Sequence, residues 1–153
     1  MAFTIGSPAF KNGERVPEQY TADGADASPQ ITWSDPPQGT KSFALICDDP
    51  DAPMGTWTHW VIYDIPGERT GLPEGISKSK TLPDGTKQGL NTWKRIGYGG
   101  PSPPPGKPHR YFFRIYALGG PLGLPPAASK ADLLRVIGGH ALGQTEFFGT
   151  YGR

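Results

Sequence analysis

The sequence has 153 residues, of which 22 are glycine and 18 are proline, and its formal net charge is +1. An aromatic content of 11% and a balanced charge are unlike a disordered chain, so we expect one folded domain spanning residues 1–153, cut by many turns. Near-neutral charge argues against a nucleic-acid partner. Without an apolar run long enough for a membrane span, or an apolar leader at its start, the protein is expected to be cytoplasmic.

Short stretches rich in β-branched and aromatic residues, separated by glycine and proline turns, predict strands. In chain order these are residues 3–5, 31–33, 42–48, 58–65, 111–118 and 146–151, with a weaker one at 90–93. Residues 42–48 form an almost continuous apolar run, which predicts a strand that is buried on both faces. The stretch from 66 to 106 is otherwise expected to consist mostly of turns.

One helix is predicted late in the chain. Ser129 can cap its start, and Asp132 follows three residues later in a capping pattern. Apolar residues then recur at the spacing of one helical face. Gly138 and Gly139 are expected either to end the helix or to weaken it before a continuation over residues 140–143. Many short strands, one C-terminal helix and no strand–helix alternation predict a mostly β fold, an antiparallel β-sandwich.

Two segments combine turn residues with side chains that can bind a ligand. The first, residues 48–53, reads DDPDAP and is followed by His59 in a predicted strand. The second, residues 97–111, is rich in glycine and proline and ends in His109-Arg110-Tyr111. Because side chains alternate along a strand, His109 and Tyr111 share one face. A histidine and a tyrosine beside a glycine-rich loop can hold an anion through ring N–H, O–H and backbone N–H donors.

These two segments resemble the phosphatidylethanolamine-binding protein family, also called the Raf kinase inhibitor protein family. The likeness extends over nearly the whole chain and is to the short bacterial and archaeal branch (YbhB/YbcL-like). It implies a sandwich with a small pocket at one end for phosphate-like or carboxylate anions. The ligand-binding residues implied by motif matching are Asp49, His59, Gly100, Pro101, His109 and Tyr111. Asp51 is expected to shape the loop beside them.

The resemblance also implies a protein that acts by binding and is not an enzyme, and that needs no cofactor or metal. Some members of the family inhibit kinases or proteases, so a kinase or protease partner is one expectation. Prokaryotic members of the family often look dimeric, so the oligomeric state is expected to be either a monomer or a homodimer. A cis Ala52–Pro53 bond is a further implication. The motifs of P-loop, α/β-hydrolase and metalloprotease enzymes do not occur in the sequence.

Two alternatives stay open. Asp49, His59 and His109 supply two nitrogen ligands and one oxygen ligand, the donor set of an open zinc site in a metal-dependent hydrolase. The other alternative is a pure protein-interaction module, in which the pocket is a vestige or a regulatory switch. Trp57, Trp60 and Trp93 are interpreted as packing residues.

Overall fold

The computed structural model describes residues 2–153, which form eight strands, one 3₁₀ turn and one α-helix. The elements are β1 (Thr4–Gly6), the 3₁₀ turn (Glu18–Tyr20), β2 (Ile31–Ser34), β3 (Ser42–Asp49), β4 (Trp57–Pro66), β5 (Gly71–Leu72), β6 (Lys87–Gln88), β7 (His109–Leu118), α1 (Lys130–Ile137) and β8 (Gly143–Tyr151). One sheet has the order β1-β2-β5 and the other β6-β4-β3-β7-β8. All these pairings are antiparallel, which confirms the predicted mostly β fold with antiparallel sheets and one helix.

The central strand β3 is covered on both faces. Leu45 packs in a core that the five-stranded sheet shares with the three-stranded sheet, whereas its neighbour Ile46 packs in a second core with Leu133 of α1. Successive side chains of a strand point to opposite faces, so both faces of β3 need apolar residues. This three-layer arrangement explains the continuous apolar run at 42–48.

Helix α1 begins and ends where its sequence signals predict. The Ser129 hydroxyl accepts the backbone N–H of Asp132 at 3.1 Å, and the Asp132 carboxylate accepts the backbone N–H of Ser129 at 3.2 Å. Gly138 ends the helix at a φ of +44°, which favours glycine. The helix therefore does not continue into residues 140–143, and β8 begins at Gly143.

Two expectations are wrong. Residues 90–93 do not form a strand, because they belong to a turn in which Asn91 N–H donates to the Arg95 carbonyl at 2.9 Å. The cis Ala52–Pro53 bond is also absent, since no peptide bond in the described residues is cis. Within residues 2–153, the one α-helix is too short to cross a membrane.

Candidate functional site

Three neighbouring strands bring the predicted residues together at one end of the larger sheet. Asp49 is the last residue of β3, whereas His59 lies near the start of β4 and His109 is the first residue of β7. Because β3 runs antiparallel to both neighbours, its end lies beside the starts of β4 and β7. Side-chain alternation then places Tyr111 on the same face as His109. Residues far apart in sequence thereby meet in one place.

A cavity of about 220 Å³ opens at this end of the sheet. Its walls contain four of the predicted residues, Asp49, His59, His109 and Tyr111. The rest of the lining comes from Ala52 and Pro53 of the first loop, from Trp57 and Trp93, and from Ser102, Pro103 and Pro104 of the second loop. The volume is below the roughly 300–1,000 Å³ of sites for drug-sized ligands, so the cavity suits a small group.

Asp49 and His109 form a buried pair. The Asp49 Oδ2 atom accepts the Nδ1–H of His109 at 2.7 Å, and the two side chains are 5% and 10% exposed. Asp49 Oδ1 also accepts the backbone N–H of Asp51 at 2.8 Å. Because the carboxylate accepts a hydrogen bond from Nδ1, it favours the forms of the His109 ring that carry a proton on Nδ1. Asp49 therefore fixes the orientation and the tautomer of His109.

His59 is held by the backbone of the second loop. Its Nδ1–H donates to the Gly99 carbonyl at 2.6 Å, and Gly99 N–H donates back to the His59 carbonyl at 2.9 Å. Burial lowers the pKa of His59, and the Gly99 carbonyl opposes that shift. At neutral pH the ring is therefore uncharged, with Nε2 as an acceptor. The rings of Trp93 and Tyr111 meet it edge-on, with centroids 5.0 and 5.1 Å away.

Two buried hydrogen-bond donors on residues of the cavity lining lack a partner. Within residues 2–153, neither the Tyr111 hydroxyl nor the Trp57 Nε1–H forms a hydrogen bond. Burial, followed by the charge of Asp49, raises the pKa of Tyr111, so its hydroxyl keeps its proton at neutral pH. An unsatisfied buried polar group costs about 1–3 kcal/mol. An acceptor atom from a ligand would remove that cost.

Gly100 and Pro101 do not line this cavity. The Gly100 N–H donates to Asp26 Oδ1 at 2.7 Å, and the Pro101 carbonyl accepts the N–H of Ala22 at 2.9 Å. Their backbone groups are thus engaged with another part of the chain. The structure brings together four of the six predicted ligand residues, and these two anchor the loop that carries Ser102.

Asp51 holds the first loop by hydrogen bonds to Arg110. Both of its carboxylate oxygens accept from the Arg110 guanidinium at 2.9 Å, and Oδ2 also accepts the Arg110 backbone N–H. The hydrogen bonds from Arg110 lower the pKa of Asp51 to about 2, although its burial opposes the shift. The first loop is thereby tied to the start of β7.

From the sequence, Trp57 and Trp93 were interpreted as packing residues, whereas the structure places both in the cavity lining. Trp57 precedes His59 by two residues in β4, so side-chain alternation could have indicated its position. Trp93 lies in the turn after residue 90, and its place depends on a long-range hydrogen bond from Thr92 N–H to the Thr58 carbonyl. The interpretation as a packing residue holds for Trp60, which is fully buried.

The zinc alternative has no geometric support. In the described part of the chain, no group of three or more histidine, cysteine, aspartate or glutamate side chains is arranged to hold a metal ion. Asp49 and His109 are hydrogen-bonded to each other, and His59 Nδ1–H donates to the Gly99 carbonyl, so these ligand atoms are already engaged.

Comparison with known protein families shows to which family the chain belongs. The sequence profile described as "phosphatidylethanolamine-binding protein" matches residues 6–152. The chain belongs to the phosphatidylethanolamine-binding protein family. A UPF0098 protein of Aquifex aeolicus is 53% identical over 151 residues, which cover 97% of this chain and 88% of the relative. A UPF0098 protein of Methanothermobacter thermautotrophicus is 51% identical over 145 residues, or 95% of each chain.

Solved structures of this family share the architecture. A structure from Chlamydia trachomatis, described as a homologue of the phosphatidylethanolamine-binding protein, superposes with a TM-score of 0.90 at 36% identity, covering 99% of this chain and 98% of that one. YbcL of E. coli, described as a new member of the mammalian family, gives a TM-score of 0.91 at 34% identity with the same coverage. These relatives place the chain in the bacterial and archaeal branch of the family.

Proposed function

We propose that this member of the family binds a small anion, a phosphate or phosphoryl headgroup or a carboxylate, in the cavity at the end of β3, and that it acts by binding. The observation that carries the proposal is the pair of buried donors without partners, the Tyr111 hydroxyl and the Trp57 indole N–H. Both residues belong to the cavity lining. Anion oxygens are acceptors that can satisfy two such donors.

Protonation of His59 supplies a charge that an anion needs. The Asp49 carboxylate already accepts hydrogen bonds from His109 Nδ1–H and from the backbone N–H of Asp51. His59 takes up its proton at Nε2, because Nδ1 is already bonded to the Gly99 carbonyl. Neutral donors thus hold the anion at neutral pH, and imidazolium charge strengthens its binding as the pH falls.

The lining supports binding more than catalysis. Besides Tyr111, the only hydroxyl that residues 2–153 contribute to the cavity lining is that of Ser102. Across residues 2–153, the hydrogen bonds of the two histidines go to Asp49 and to the Gly99 carbonyl, so no nucleophile is paired with a base. Inhibition of a kinase or protease is the finer role that family resemblance suggests. Enzyme assays with the wild-type protein and Tyr111→Phe would show whether such inhibition depends on the cavity.

Tyr111→Phe tests the proposal directly. The variant removes one donor and little volume, so we expect affinity for sulfate or phosphate to fall by roughly 0.5–3 kcal/mol. Stability without ligand should be equal or slightly higher, because the lost hydroxyl has no partner in the free protein. The matched control is Tyr116→Phe, on the same strand but in the core beneath α1. Equal anion affinity in Tyr111→Phe and the wild type, measured by calorimetric titration, would remove Tyr111 from the site.

The pH dependence of sulfate binding tests the role of His59. Burial lowers the pKa of His59 in the free protein, and a bound anion raises it by favouring the charged ring. We therefore expect sulfate affinity to rise as the pH falls from about 8 through about 6.5. A phosphomonoester should show a weaker rise or a reversal, because it loses charge near its second pKa of about 6.

The same lowered pKa makes stability depend on pH. Below about pH 6.5 the unfolded chain binds a proton at His59 more readily than the folded protein does, because the pKa of His59 is lowered by folding. The free energy of unfolding should therefore decrease as the pH falls through this range. Sulfate should therefore raise the unfolding temperature more at about pH 5.5 than at about pH 8. A sulfate affinity that stays constant over this range would mean that neutral donors alone hold the anion.

A further inference from the structure

A second cavity adjoins the first one across a shared wall. Its volume is about 290 Å³, and Trp93 and Ser102 line both cavities. Gly99 also belongs to the second cavity, while its carbonyl accepts the Nδ1–H of His59 in the first. Trp93 and Ser102 thus stand between the two cavities, and a ligand that occupies both must cross these residues.

The wall between the cavities is held in place. Asn91 bridges its own turn, since its side-chain oxygen accepts Arg95 N–H and its side-chain nitrogen donates to the Gly97 carbonyl. The Trp93 ring lies close against the backbone of Gly99, where a Cβ atom would come within 2.5 Å of Trp93 Cζ3. A fixed turn reduces the ordering cost of binding, so the backbone that carries Trp93 and the exposed Arg95 side chain is in place before a ligand arrives.

The second cavity has a surplus of positive charge. Its lining contains Lys78 and Arg95 but only one acidic residue, Asp26. Asp26 already accepts the N–H of Gly100 at 2.7 Å and lies 3.4 Å from the Lys78 ammonium. Within residues 2–153, the Arg95 guanidinium has no hydrogen bond or ion pair, since only its backbone N–H is engaged by Asn91. Arg95 is therefore an unneutralised cation, and a guanidinium matches the geometry of phosphate and carboxylate.

We propose that the ligand of this protein is a small molecule with two anionic groups. One group lies in the first cavity with Tyr111, and the other is held by Arg95 in the second, with the linking part of the molecule packed on Trp93. This inference rests on the proposed function, because it assigns the first anionic group to the same site. Two anionic groups on one short carbon chain are the shared chemistry of sugar bisphosphates, phosphorylated carboxylic acids and dicarboxylic acids.

The test compares alkanediol bisphosphates of increasing chain length with the matching alkyl monophosphates, by calorimetry at constant ionic strength. A charge-assisted contact with Arg95 predicts that the best bisphosphate binds about tenfold or more tightly than its monophosphate. In Arg95→Gln this ratio should fall towards one. Lys94→Gln is the matched control, because it removes the same charge from the same turn at a residue outside both cavities, and it should keep the ratio.

The outcomes separate the two proposals. A monophosphate that binds while no bisphosphate gains affinity would overturn the inference and leave the proposed function standing. A ratio that survives in Arg95→Gln, or that falls equally in Lys94→Gln, would also overturn the inference, because Arg95 would then make no direct contact. If the wild-type protein does not bind the monophosphate at all, the proposed function fails, and this inference fails with it.

Discussion

His109→Ala should lower the free energy of unfolding by about 1–3 kcal/mol or more at neutral pH, because it leaves the buried Asp49 carboxylate without its side-chain hydrogen-bond donor. The Asp49 side chain is only 5% exposed, so solvent cannot replace the lost Nδ1–H donor. Of its two hydrogen bonds, only the one from Asp51 N–H would remain. Urea denaturation of the variant and the wild type measures the difference.

Two further variants show whether the loss of stability comes from burying the Asp49 carboxylate without its histidine donor. His109→Gln keeps a side-chain N–H that can donate to Asp49, so it should lose much less stability than His109→Ala. Adding Asp49→Asn to His109→Ala should recover part of the loss, because the double variant buries no charge. If the double variant is as unstable as the sum of the two single variants, the pair does not couple and the cause lies in packing.

Gly100→Ala should destabilise the protein by roughly 1–3 kcal/mol or more, since the added methyl has no room. A Cβ atom at this position would lie 2.4 Å from the Tyr20 carbonyl oxygen and 2.8 Å from Thr21 Cα. Both are backbone atoms of a neighbouring segment, so relief requires that the chain itself move. Thermal unfolding of the variant is the measurement.

Gly119→Ala is the matched control for this substitution. Nothing lies within 4 Å of its Cβ position, and its φ is outside the left-handed region. We expect it to be neutral or to stabilise the protein by up to about 1 kcal/mol. Wild-type stability in Gly100→Ala would show that close packing does not require this glycine.

The sequence predicts the main strands because their signals are local. Residues 42–48 are apolar throughout, and β3 is covered on both faces. Local signals also place Asp49, His59 and His109 in or beside predicted strands, but their meeting at one site was implied by the family resemblance. Antiparallel pairing is what brings them together. Alternation along β7 then adds Tyr111 to the cavity lining.

Features that depend on distant contacts were not predictable in this way. Residues 90–93 have a composition typical of a strand, but hydrogen bonds between Thr92 and Thr58 hold them as a turn against β4. Trp93 reaches the cavity only because that turn is placed there. Gly100 reads as a flexible ligand-binding position, yet its N–H is taken by Asp26, which is 74 residues away in sequence.

The central claim is that an anion in the first cavity satisfies buried donors, and the indole N–H resonances of the tryptophans test it most directly. Trp33 and Trp60 donate to the Arg69 carbonyl and to Gln88 Oε1, so they serve as internal controls. On titration with phosphate, followed by nitrogen–proton NMR, the Trp57 resonance should move as its N–H gains an acceptor, while those two stay in place. A Trp57 resonance unmoved at saturating phosphate, or one that shifts no more than those of Trp33 and Trp60, would contradict the account.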